Sequence, residues 1–218
     1  MSNLYVPGCA LMSYKPDLAY KLKEVIENKY GKMDTLLTCC FRKPELDSGT
    51  RIFTPCATCA SRYEKLYPDC TSIFFLKEMA ESDDFIFPDY NGIEMSIQDP
   101  CSARTEPEYL SSVRKLLERM NIKIVEAQRS GSKSKCCGQT FYGKTDNDKI
   151  RSLMVSRANE MPCENVVVYC ASCIMSMTVG GRKPRYILDL LFGEETQMPD
   201  ADIKVWNEKL RMFRVSQI

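Results

Sequence analysis

No histidine occurs among the 218 residues. That single absence excludes zinc sites mixing histidine with cysteine, facial iron triads, haem held by histidine, and histidine as base or nucleophile. Long apolar runs are missing too. The longest, 73–76 and 166–169, fall far short of the roughly 20 residues that span a bilayer, so no membrane span is expected. Neither sign of charge dominates: 30 Lys plus Arg stand against 29 Asp plus Glu, which gives no electrostatic case for nucleic acid or an anionic membrane. Residues 1–9 show neither a basic leader nor an extended apolar segment, and a cytoplasmic protein is expected. In a reducing compartment, a framework of structural disulfides is not.

What the chain does have is cysteine, twelve in all, ten of them in two copies of one pattern. The first copy is Cys9, the doublet Cys39 and Cys40, then Cys56 and Cys59. The second is Cys101, the doublet Cys136 and Cys137, then Cys170 and Cys173. Each closes on nearly the same tetrapeptide, Cys56-Ala57-Thr58-Cys59 and Cys170-Ala171-Ser172-Cys173. An internal repeat of this kind implies two fused halves, 1–90 and 91–218, each of ordinary domain size.

The hydrophobic pattern fits. Pro16 and Asp17 open a helix with Leu18, Leu22, Val25 and Ile26 on one face and Gly31 as its stop, and a strand at 33–37 leads to Cys39 and Cys40. In the second half a strand at 93–97 leads through Asp99-Pro100 to Cys101. Pro107 opens a helix with Val113, Leu116, Leu117 and Met120 inward, and a strand at 122–125 precedes Cys136. A helix at 148–160 turns Ile150, Leu153, Met154 and Ala158 inward before a strand at 166–169 that runs into Cys170. Strands alternating with helices predict an α/β fold of two pseudo-repeated halves, each a small, mostly parallel sheet flanked by helices. The cysteines fall at strand ends, which gathers the five thiols of a set at one sheet edge. From Cys40 to Cys56 is 16 positions against 33 from Cys137 to Cys170, so the first half has no room for the extra helix. The stretch 84–92 reads as a linker, and 198–218 as a helix packed on the body.

Thiolate is a soft ligand for zinc, copper(I) or iron–sulfur clusters. A Cys-x-x-Cys at a helix start places sulfur near backbone N–H groups, which favours the ligating thiolate. An adjacent pair can serve one centre only if the backbone turns there, and Gly138 supplies that freedom. Four thiols satisfy tetrahedral zinc or an ordinary cubane cluster, so the repeated fifth asks for another kind of centre or a spare ligand. From the residues alone zinc and iron–sulfur both stay open.

Cys101, Cys136-Cys137-Gly138 and Cys170-x-x-Cys173, with Asp99-Pro100 before them and Arg104 after Cys101, resemble the cysteine-rich CCG domain found twice in the disulfide-cleaving component of heterodisulfide reductase. The segment 184–191, expected as a closing helix, belongs to the same resemblance. It implies two non-cubane [4Fe–4S] clusters, one held by Cys101, Cys136, Cys137, Cys170 and Cys173, the other by Cys9, Cys39, Cys40, Cys56 and Cys59. It implies an oxidoreductase that reduces a disulfide substrate with electrons from an iron–sulfur or flavin partner subunit or a ferredoxin, since the chain has no compact run of four ferredoxin-type cysteines. Two other readings stand beside it: an electron-transfer subunit of an anaerobic dehydrogenase complex, and a non-enzymatic zinc–thiolate module or cluster-based sensor. The chain departs from the family at Phe41, where a glycine would follow the doublet, and at Gln98 and Ser102, where the family often has histidine. With no imidazole available, Lys135 is a candidate proton donor or electrostatic partner of the thiolates. Cys70 and Cys163 lie outside both sets and read as structural thiols. Gly180-Gly181-Arg182-Lys183 reads as a solvated basic turn or an anion seat.

Overall fold

The structure, a computed structural model, describes residues 2–37 and 42–217. Two compact units are formed, Met1–Glu78 together with Glu208–Ile218, and Met79–Asn207. Of the halves expected at 1–90 and 91–218, residues 79–90 group with the second unit and 208–218 with the first.

In the first unit the elements run β1 (Asn3–Tyr5), α1 (Cys9–Tyr14), α2 (Pro16–Tyr30), β2 (Asp34–Thr35), β3 (Arg51–Thr54), α3 (Ala57–Leu66) and β4 (Thr71–Phe74), with α4 (Phe75–Ala80) at its limit. The second unit holds β5 (Glu94–Gln98), α5 (Pro107–Arg119), β6 (Lys123–Ile124), α6 (Asn147–Ala158), β7 (Asn165–Val168), α7 (Ala171–Val179), β8 (Lys183–Tyr186) and α8 (Ile187–Leu191). A final helix, α9, spans Ile203–Ser216.

Among the described residues, each unit has one four-stranded sheet, ordered β2-β1-β3-β4 and β6-β5-β7-β8. All pairings are parallel. The matching order makes the two halves structural repeats, as the cysteine pattern predicts. In both, the chain steps to one side of its first strand and then returns to the other, so the order reverses between β1 and β3 and between β5 and β7. Open α/β sheets bind ligands outside the carboxyl ends of their strands at such a reversal.

Burial on both faces explains the sequence of the central strands, since β7 places Val166, Val167 and Val168 wholly inside. Helix α5 starts at Pro107, where a missing N–H costs nothing, and buries Val113, Leu116 and Leu117. Each of those side chains contributes about 1.5–3 kcal/mol. Helix α2 likewise buries Leu18, Leu22 and Ile26 and stops at Gly31, whose φ of 82° suits glycine.

Two expectations need correction. The segment 184–191 is not one helix: Lys183–Tyr186 pairs with β7 as β8, and only Ile187–Leu191 is helical. Pro184 is tolerated because β8 is an edge strand, where one N–H can be missing. The stretch 84–92 is no free linker. The Phe85 ring meets Phe192 at 6.0 Å, the Arg119 guanidinium lies 4.3 Å from the Phe87 ring centre, and Tyr90 Oη donates to the Leu190 carbonyl at 2.8 Å. Strands β1, β3 and β4 also join the sheets without a sequence signal, because three or four residues are too few to show a period. The C-terminal helix is present and buries Ile203, Trp206 and Leu210. No helix among the described residues is long and apolar enough to cross a membrane.

Candidate metal centre

The second thiol set is built at the carboxyl ends of β6, β5 and β7. After β5, Asp99-Pro100 leads into a 3₁₀ turn, Cys101–Ala103, that begins with the first thiol. After β6, the connection passes a second 3₁₀ turn, Gly131–Lys133, and delivers Cys136 and Cys137. After β7, Cys170 occupies the cap of α7 in an extended conformation, which puts Cys173 in the first turn of that helix.

The doublet works because the chain turns sharply behind it. Gly138 has φ of 100°, and a β-carbon there would lie 2.9 Å from Met154 Cγ and 3.2 Å from Met154 N on α6. Both the left-handed backbone and the close helix demand glycine.

The five thiols lie near enough to perturb one another: Cys101 and Cys137 both interact with Cys136, and Cys173 interacts with Cys137 and Cys170. Protons are unevenly placed across this set. Cys136 is held far below an ordinary thiol by hydrogen bonds from Cys101 and Cys137, helped by the amides of Gly138 and Thr140. Cys170 is lowered by the thiol of Cys173 and by the amides of Ser172 and Cys173. Donation to Cys136 pushes Cys101 and Cys137 up, and donation to Cys137 and Cys170 does the same for Cys173. The two lowered thiols, Cys136 and Cys170, owe this first to neighbouring thiols and then to backbone N–H groups. Cys137 and Cys173 are buried, Cys136 and Cys170 half-buried and Cys101 exposed, so the set opens to solvent at Cys101. Among the described residues no three His, Cys, Asp or Glu side chains stand in the arrangement a single metal ion needs.

Beneath the thiols lies a polar scaffold that the motifs do not announce. Buried Asp99 accepts a bidentate pair from Arg114 at 3.1 and 2.9 Å, the Gly131 amide at 2.7 Å and Tyr169 Oη at 2.7 Å. Burial first, then the charge of Asp99, pushes the Tyr169 phenol up, so it stays a donor. Arg157, 1% exposed, donates to Gln98 Oε1 at 2.6 Å, Glu160 Oε2 at 2.7 Å, the Arg129 carbonyl at 3.0 Å and Ser134 Oγ at 3.2 Å. These bonds tie the end of β5, the 129–135 loop and α6 into one support for Cys101 and the doublet. One signal is readable in the sequence: Arg157 sits three residues after Met154 and seven after Ile150, inside the apolar stripe of α6.

Lys135 lies beside the doublet, and its ammonium pairs with Glu160 at 2.8 Å. The glycine-rich basic turn is packed and paired. A β-carbon on Gly180 would come within 2.1 Å of Ala158 Cβ, Arg182 Nε donates to the Ala158 carbonyl at 2.9 Å, and Lys183 pairs with Glu164 at 3.1 Å. It precedes β8 and so stands at the opposite end of the strands from the cysteines. The Cys163 amide donates to Ser96 Oγ at 2.8 Å, while Cys70 Sγ donates to the Asp47 carbonyl at 3.5 Å.

The first set repeats the plan on β1 and β3. Cys9 opens α1 and Cys56 caps α3, accepting the Cys59 amide on its sulfur at 3.5 Å. Gly8, with φ of 85°, lets the chain pass so close that a β-carbon would lie 3.1 Å from Cys59 Sγ and 3.6 Å from Cys56 Cβ. Gly8, the residue before Cys9, thus packs against Cys56 and Cys59, while Cys39, Cys40 and Phe41 lie outside the described residues. Gly8→Ala is expected to lower stability by about 1–3 kcal/mol, because alanine must adopt a backbone region close to glycine-only and crowd a buried sulfur. Urea unfolding of the purified variant checks it, and an unchanged midpoint would refute the crowding.

Residues 95–178 match the family model CCG, described as a cysteine-rich domain. The chain is also 28% identical over 112 residues to a protein of Chromohalobacter salexigens named "Probable membrane-anchored ferredoxin". That alignment takes in 49% of this chain and 17% of the relative, so the chain spans well under two thirds of the relative's length. Every cysteine of the second set falls within the stretch 95–178 that matches this cysteine-rich domain model.

Proposed function

We propose that this chain is an iron–sulfur electron-transfer protein in which each five-cysteine set holds a cluster. One observation carries the reading: Cys101, Cys136, Cys137, Cys173 and Cys170 lie close enough at the edge where the sheet order reverses that each thiol shifts the titration of its neighbours. The donor set fits the group, being all sulfur, with Cys136 and Cys170 shifted towards the thiolate by neighbouring thiols and, to a lesser degree, by backbone amides. A bound cluster supplies one-electron storage close to the surface. The chain's own residues do the rest. Amides of Gly138, Thr140, Ser172 and Cys173 balance thiolate charge, the Asp99 and Arg157 networks fix the ligand loops, and exposed Cys101 marks the open side.

In its finer form, the clusters are of the non-cubane [4Fe–4S] kind and reduce a disulfide that reaches the set from the Cys101 side. Electrons come from an iron–sulfur or flavin partner or a ferredoxin. With no histidine in the chain, protons for the two product thiols come from water. The relative's name favours a second reading, electron transfer with no substrate of its own.

Anaerobic purification followed by iron, sulfide and zinc quantification tests the proposal. About four irons and matching sulfide per occupied set, with a paramagnetic signal on reduction, are expected. Stoichiometric zinc without sulfide would overturn it. Turnover of added disulfides by the reduced protein separates the two readings.

A further inference from the structure

The first thiol set has a neighbour that the cysteine pattern does not announce. Arg214, on α9, donates from Nε to Cys9 Sγ at 3.3 Å. Cys9 and Arg214 lie 205 positions apart in sequence, yet both belong to the first compact unit. The helix explains how the guanidinium arrives there. Ile203, Trp206 and Leu210 are its buried residues, and Arg214, four beyond Leu210, falls on the same side of the helix but is itself exposed.

We infer that Arg214 is a positioning and potential-setting residue for the first centre, resting on the reading that this set holds a cluster. A guanidinium stays charged at every accessible pH and presents a fixed N–H, so the sulfur keeps both a direction and a positive neighbour. Hydrogen bonds to ligand sulfurs and nearby charge tune cluster potentials, and ligand supports of this kind also orient the ligand. A cation bonded to Cys9 stabilises the reduced, more negative state over the oxidised one.

The test uses the full chain, reconstituted anaerobically with iron and sulfide, in wild-type, Arg214→Met, Arg214→Gln and Arg214→Lys forms. The signal lost in Cys9→Ser identifies the first centre, and a redox titration followed by paramagnetic resonance gives its midpoint. In Arg214→Met the reduced-to-oxidised ratio at fixed potential is expected to fall about tenfold, equal to about 59 mV for a one-electron couple. Arg214→Lys retains part of the wild-type midpoint, and Arg214→Gln separates the donor from the charge. The second centre's midpoint stays where it was. Loss of first-centre iron in Arg214→Met but not in Arg214→Lys also supports the inference. Fully loaded Arg214→Met with a wild-type midpoint overturns this inference alone. Absence of iron from every form, wild type included, overturns the cluster reading as well.

Discussion

Arg157→Met is expected to destabilise the protein by about 3–5 kcal/mol, the cost of breaking a buried charged network from one side. The guanidinium is 1% exposed and serves Gln98, Glu160, Ser134 and the Arg129 carbonyl together. Methionine fills part of its volume but answers none of those groups. Glu160 keeps Lys135 and Arg129 as partners near the surface. Ser134 Oγ keeps its bond to the Asp99 carbonyl, but Gln98 Oε1 is buried and loses its donor, and leaving a buried polar atom unmatched costs about 1–3 kcal/mol. The damage is directed: Gln98 Nε2 donates to the Lys135 carbonyl at 3.1 Å, directly before the doublet, so the loop bearing Cys136 and Cys137 loses its hold. Guanidinium unfolding, with a double-mutant cycle against Gln98→Leu, checks both size and cause. A loss below about 1 kcal/mol, or no coupling between the two sites, would mean that the network does not support the doublet.

Cys136→Ser is expected to empty the second centre while sparing the first. Cys136 is lowered chiefly by the neighbouring thiols of Cys101 and Cys137, so it stands between the first cysteine of the set and the rest. Serine keeps the shape and a hydroxyl but not a soft, readily ionised ligand. Iron and sulfide in the reconstituted variant should fall to about half the wild-type content, Cys9→Ser should show the complementary loss, and the double variant should hold neither. Undiminished iron in Cys136→Ser would remove this thiol from the ligand set. Because Cys136 is half-buried at the rim, the folded state should survive, and circular dichroism separates loss of metal from loss of fold.

Sequence alone locates the ligand loops well because their signals are local. Cys-x-x-Cys at a helix start, a doublet followed by glycine, and Asp-Pro-Cys after a strand each lie within a few residues. In the folded chain they become the cap of α7, the φ of 100° at Gly138 and the 3₁₀ turn at Cys101. Helices α2, α5 and α6 are legible for a related reason, since twelve or more residues carry several turns of one apolar stripe. Short strands carry no such repetition. The residues of β8 read as helix because Pro184 and the apolar run behind it suggest one element, whereas edge pairing with β7 claims the first four residues.

Two things are therefore fixed by order along the chain: a duplicated α/β plan, and ten cysteines in two copies of one pattern. Which groups support those thiols is decided only by folding. Arg157 reaches Gln98 across 59 positions, Tyr169 reaches Asp99 across 70 and Arg214 reaches Cys9 across 205. Spacing encodes what one turn or one strand end can bring together. Contacts between distant elements depend on how sheets and helices pack, and a buried arginine looks the same in sequence as a solvated one.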